Sequence, residues 1–119
     1  MAWRDDMALG IDELDSCHHR MVECLDGIRQ ALARRENFRA ERLLEELRAL
    51  SRLHDTAEEA AFHGQPQEFP QEIIEFGVHR LRSAVRDRFA TDELLNLTAS
   101  LENLLASEIA CDRRTQPMP

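Results

Sequence analysis

The chain has no tyrosine, one tryptophan, and only four glycines and four prolines in 119 residues. Sandwiches and barrels draw on aromatic strands and on turns rich in Gly and Pro, so this scarcity argues against both. Nor does any stretch approach the roughly 20 apolar residues of a membrane-spanning helix, and "MAWRDDMALG" lacks the apolar run of a signal peptide. A cytoplasmic location is therefore expected. Positive charge is also short, with 15 basic against 23 acidic side chains and a formal charge of −8. Such a surface repels phosphate backbones and anionic lipid, so neither nucleic acid nor membrane is an expected partner. The three cysteines are an odd number with no CxxC spacing, which argues against a disulfide framework or a zinc ribbon. Cys17, Cys24 and Cys111 read as small core residues, and the seven-residue spacing of Cys17 and Cys24 leaves a redox pair on one helix face as the alternative.

What the chain has in quantity is Leu, Ala, Glu and Arg at helical spacing. Its length suits one domain with one core. Leu14, Met21, Leu25, Ile28 and Leu32 recur every three to four residues, which predicts a helix over about 12–35 that "ARREN" interrupts. Leu43, Leu44, Leu47, Leu50, His54, Ala57 and Ala61 predict a second over 39–63, before Gly64, Pro66 and Pro70 punctuate the chain. Ile74, Val78, Leu81, Val85 and Phe89 mark a third over 71–89. A fourth spans 92–112, capped by Thr91 or Asp92 and striped by Leu94, Leu97, Leu101, Leu104, Leu105 and Ile109. Four such helices on short connections form an all-α, up-down-up-down four-helix bundle, with the first ten residues and the tail after Arg113 outside it.

Polar residues interrupt these apolar stripes at matching ends. His18 lies one turn after Leu14, His54 one turn after Leu50, and Glu58 one turn after His54. In "EIIEFGVHRL", Glu75 and His79 are four residues apart among apolar neighbours, and the Leu101–Leu104 line continues into Glu108 and Asp112. An up-down bundle would gather all seven groups into one layer. Three imidazoles and four carboxylates there require a counter-charge, and two divalent cations would balance the four carboxylates. Nitrogen and oxygen donors suit iron or manganese, with zinc a further candidate. The competing reading is a metal-free polar layer, since a single His on an apolar stripe is commonly a hydrogen-bonded core residue. His19 points about 100° away from His18 and reads as solvated, and His63 as a cation at the negative end of its helix.

The ordered motifs resemble the hemerythrin family, of the single-domain bacterial type, over nearly the whole chain. Trp3, Gly10, Ile11, Asp15 and His18 in "AWRDDMALGIDELDSCHH" resemble its opening, "HDTAEE" its His-x-x-x-Glu, "EFPQEIIEFGVH" its aromatic-Pro and paired-ligand segment, and "SEIACD" its last ligand segment. The resemblance implies a four-helix bundle around two non-haem irons, or manganese, with an oxo or hydroxo bridge. His18 and His54 would serve one ion, His79 the other, and Glu58 and Asp112 would bridge. Glu75 and Glu108 stand where the family has histidines. Asp112 follows Glu108 by four residues rather than the family's five, which leaves Ser107 as the alternative to Glu108.

Two added carboxylates would favour higher oxidation states of the metals. The expected function is therefore a dinuclear metal protein, monomeric or homo-oligomeric, that binds or senses dioxygen, another small diatomic or a peroxide, or that handles iron. An oxidase, peroxidase or oxygenase on a carboxylate-enriched centre is the first alternative, and a metal-free structural bundle the second.

Overall fold

The structure, a computed structural model, describes residues 1–62 and 72–115. Four helices carry the fold: α1 (Asp12–Ala33), α2 (Asn37–Phe62), α3 (Glu72–Arg86) and α4 (Thr91–Thr115), preceded by a single 3-10 turn at Asp5–Met7. Around the bundle, α1 packs against α2 and α4, and α3 packs against the same two. The described residues contain no strand, as the composition predicted. None of the helices is long and apolar enough to cross a membrane. The expected turn with Gly64, Pro66 and Pro70, the Phe69–Pro70 pair and the role given to His63 all lie outside the described residues.

Each helix sits where its apolar stripe can be removed from water. Met21, Leu25, Ile28 and Leu32 of α1 meet Leu44, Leu47 and Leu50 of α2, and Ile74, Val78, Leu81 and Val85 of α3 meet Leu94, Leu101, Leu105 and Ile109 of α4 in one core. Burying a Leu or Ile side chain contributes about 1.5–3 kcal/mol, so this core dominates the favourable side of folding. Leu97 and Leu104, expected inside, are half-buried and pack at its edge, whereas Thr98 is fully buried and donates its hydroxyl to the Leu94 carbonyl at 2.8 Å. Gly77 lets α3 and α4 approach closely: a Cβ there would lie 2.8 Å from Leu101 Cδ1.

Ion pairs fix how α2 and α3 lie together. Glu41 pairs with Arg86 (2.7 Å), Glu45 with Arg82, and Arg52 and Arg48 with Glu75 (3.1 and 3.6 Å), so the start of one helix faces the end of the other. The start of α1 meets the end of α4 through His18 and Asp112, and further along Arg29 of α1 bonds Glu102 of α4.

Two helix ends differ from expectation for one reason. α1 stops at Ala33 rather than 35, and α3 at Arg86 rather than 89, because each closes in a Schellman motif. Arg35, at φ 59°, donates its amide to the Leu32 carbonyl and Glu36 donates to that of Ala31. Arg88, at φ 57°, repeats the pattern, with Arg88 donating to Val85 and Phe89 to Ala84. The helix end leaves Phe89 at 44 % exposure instead of in the core. A side chain in this left-handed conformation costs roughly 1–2 kcal/mol relative to glycine, offset in part by the greater freedom of an unfolded glycine. Arg88→Gly is therefore expected to stabilise the protein by about 0.5 kcal/mol, read as a higher urea midpoint at unchanged m-value.

Candidate metal centre

The entry into α1 shows why its first histidine faces inward. Gly10, at φ +85°, turns the chain in a conformation that glycine adopts without strain. The Leu9 and Gly10 amides then donate to the Asp15 carboxylate at 2.7 and 3.0 Å. Asp15 thus ties the preceding segment to the first turn of α1, and His18 follows one turn after the buried Leu14. On α2, the core line of Leu47 and Leu50 continues through Ser51 into His54, Glu58 and Phe62, all buried. On α4, Leu101 and Leu105 lead to Glu108, Ile109 and Asp112, also buried.

Five of the seven expected donors come together at this end of the bundle. His18 and His54 are 0 % exposed, Asp112 1 %, Glu108 2 % and Glu58 3 %. Asp112 Oδ2 is the hub, 2.9 Å from His18 Nε2 and 2.8 Å from His54 Nε2. The two imidazole rings lie 4.8 Å apart between centroids. Glu58 Oε2 is 3.4 Å from the same His54 Nε2. On the opposite edge of that ring, Nδ1 hydrogen-bonds Asp55 Oδ1 at 3.3 Å. Glu108 Oε1 approaches Nδ1 to 2.9 Å, an ion-pair separation that lacks hydrogen-bond direction and leaves this oxygen without a hydrogen-bond partner. Glu108, not Ser107, occupies the inward position, and Ser107 is exposed.

Glu75 and His79 are not in this layer, contrary to the expectation that all seven groups would share it. The buried stripe of α3 runs through Ile74, Val78, Leu81 and Val85, and each of the two polar residues is one position, about 100°, beyond a stripe residue. That rotation carries Glu75 to the α2 boundary, where Arg48 and Arg52 neutralise it, and leaves His79 exposed. Both residues line a surface hollow with Arg48, Val78 and Arg82. The other expected features are distributed between core and surface. His19 is half-exposed, bonds Glu23 one turn on at 3.0 Å and stacks on Trp3 at 5.0 Å between centroids. Cys24 and Cys111 are buried, Cys17 is half-buried, and all three are free thiols.

Charge at the site is governed by burial and by neighbours. Burial alone would push the His54 pKa down, but contacts with Asp112, Asp55 and Glu108 outweigh it and push the imidazole up to about 12. Burial pushes Glu58 up, and its hydrogen bond and repulsion with the Asp112 carboxylate add to this, giving about 8. Burial would raise Asp112 too, but hydrogen bonds from His18, His54 and Glu58 hold it well below the usual carboxylate range. Without metal, protons perform the neutralisation that this buried layer requires.

The donor set fits a transition metal. His18, His54 and Asp112 form one group of inward donors, and His54, Glu58, Glu108 and Asp112 a second, with the donor atoms of each within 4.8 Å of one another. Ligands each about 2.0–2.2 Å from one ion stand roughly 3 Å apart, the range of the separations around Asp112 Oδ2 and His54 Nε2. His18 Nδ1 is fully buried without a partner, as is Glu108 Oε1, so hydrogen bonding within the protein leaves the layer incompletely satisfied. Imidazole and carboxylate without thiolate suit iron, manganese or zinc. Asp55 is the contact that the sequence reading missed; its only signal was adjacency to His54.

With metal removed, Glu58 is protonated in the folded chain up to about pH 8 but ionises near 4.5 when unfolded, and His54 stays charged when folded well above its ordinary 6.5. Both groups therefore contribute stability that is complete at low pH and lost as pH rises. The Asp112 contribution, of opposite sign, is lost only below its ordinary 3.8. Stability of metal-free protein is expected to fall between pH 5 and 8 by up to about 1.4 kcal/mol per pH unit for each proton involved. Metal-loaded protein should show the reverse slope, because ligands must lose protons to bind. Glu58→Gln, which cannot ionise, should flatten the metal-free slope below pH 6.5, as measured by urea unfolding in chelator.

No protein-family model, curated protein or solved structure matches the chain.

Proposed function

We propose that this protein is a non-haem metal protein whose buried end layer holds iron, with manganese as the alternative, and that it binds or senses dioxygen or a related small molecule, or handles iron itself. One observation carries the reading: two imidazoles and three carboxylates, each at most 3 % exposed, converge from α1, α2 and α4, with two polar atoms left without a hydrogen-bond partner. A bound divalent ion would supply positive charge and an open coordination position for a small ligand. His18 and His54 would present neutral imidazole nitrogens, and Asp112 the carboxylate that both now face. Asp55 would hold the Nδ1 proton of His54 and keep Nε2 directed inward. Leu9, Leu14 and Phe62 form a separate apolar cluster whose Leu14 and Phe62 stand one turn from His18 and Glu58. They would exclude bulk water from the same end.

Imidazole and carboxylate donors without a thiolate support iron or manganese as the ion. The resemblance of the motifs to hemerythrins points the same way. A metal-free polar layer is the second reading, favoured by the short contacts from both His54 nitrogens to carboxylates.

The test is the metal content of freshly purified protein, then anaerobic ferrous loading and an optical spectrum as oxygen is admitted and purged. Stoichiometric metal, a spectrum that responds to oxygen, and a stabilisation of about 2.7 kcal/mol at a hundredfold excess of metal over Kd are expected. His54→Ala should abolish the metal and the response together. Protein that contains no metal, binds none and keeps its melting temperature in chelator would refute the proposal.

A further inference from the structure

Resting on that metal-binding reading, we infer that the layer holds one ion per chain, bound by His18, His54 and Asp112, and that Glu58 and Glu108 are positioning residues beside it. The two buried histidines do not face separate points. Both direct Nε2 at the same Asp112 oxygen, Oδ2, at 2.9 and 2.8 Å, and Glu58 Oε2 approaches the His54 Nε2 at 3.4 Å. His18, His54 and Asp112 thus converge on a single locus, whereas Glu58 shares a group of nearby donors with Glu108 and not with His18. Glu108 approaches the other nitrogen of His54, Nδ1, rather than the Nε2 that faces Asp112. An imidazole that gives Nε2 to an ion keeps its proton on Nδ1, where Glu108 and Asp55 supply negative charge to hold it.

A second ion would need a nitrogen of its own: the other inward group, His54, Glu58, Glu108 and Asp112, shares its only imidazole with the first, and α3 is the helix that should bring another. Its inward positions are Ile74, Val78, Leu81 and Val85. Glu75 is engaged with Arg48 and Arg52, and turning it inward would break both ion pairs and carry Ile74 and Val78 away from the core. Two imidazoles with one carboxylate at the hub is the donor set of mononuclear non-haem iron sites that keep open positions for substrate or oxygen. The chemical class implied is therefore a single ferrous ion with exchangeable positions, rather than a carboxylate-bridged pair.

Cobalt(II) added anaerobically to metal-free full-length protein provides the test, since its visible spectrum reports both count and donor set. One equivalent should saturate the spectrum, and ferrous iron should compete for the same single site. Glu75→Gln and His79→Gln should leave count and Kd unchanged within about twofold, whereas Asp112→Asn should weaken binding beyond a hundredfold. Glu108→Gln should keep one ion and the parent band positions while Kd rises about 10–100-fold, as for loss of an outer partner. Glu58→Gln should behave in the same way as Glu108→Gln. Circular dichroism of each metal-free variant establishes that it folds, and if Asp112→Asn does not, the Glu58→Gln and Glu108→Gln spectra decide. Two equivalents bound, loss of an ion in Glu75→Gln or His79→Gln, or a new band pattern in Glu58→Gln or Glu108→Gln would overturn the single-ion assignment and leave the metal-protein reading standing. No binding of cobalt or iron would overturn both.

Discussion

The carboxylate of Asp112, buried between two imidazoles, is the constraint around which this end of the molecule is arranged. An isolated charge in such a place costs several kcal/mol even after the surroundings relax. His18 from α1 and His54 from α2 meet that cost, and in doing so they bring three helices to one point. His54 then carries its own positive charge into the interior, where Glu58, Glu108 and Asp55 surround it. The layer is a set of hydrogen bonds and ion pairs centred on Asp112 and His54. Loss of either would leave the other buried without its main partner.

The other end of the bundle has a different basis. From Met21 to Leu32 on α1, and along the matching halves of α2, α3 and α4, the interior is aliphatic. Its favourable burial holds the helices together, so the stabilising and the chemically demanding parts of the bundle are separated along its length. Arg29, Glu102 and the Met1 amino group form a partly buried ion cluster beside this aliphatic half, joining α1 to α4. Rigid helices rather than loops carry all five inward donors, which restricts their positions to what packing allows.

Low dielectric makes the layer sensitive to what neutralises it. Protons and a divalent metal compete for the same lone pairs, so the pKa shifts of His54, Glu58 and Asp112 and the affinity for metal are two expressions of one electrostatic demand. The unpartnered His18 Nδ1 and Glu108 Oε1 mark where protons alone leave that demand incompletely met.

The sequence by itself determined the helical class, the four segments and most of the inward stripe, because apolar period and scarce Gly and Pro act locally. It also determined five of the buried donors, since His18, His54, Glu58, Glu108 and Asp112 extend apolar lines at spacings of three or four residues and so inherit their direction. The two Schellman ends were not legible, because Arg35 and Arg88 occupy positions that usually announce themselves as glycine. The fate of Glu75 and His79 was decided only by tertiary structure. They stand at the margin of the α3 stripe, where a small rotation of the helix determines whether a residue faces the core or its neighbour. Burial of Ile74, Val78, Leu81 and Val85 against the other helices settles that rotation, and Arg48 and Arg52 of α2, twenty or more residues away in sequence, receive Glu75 at the surface. Periodicity gives a residue's angle on its own helix, whereas the angle of that helix to the others depends on which partners its edges find.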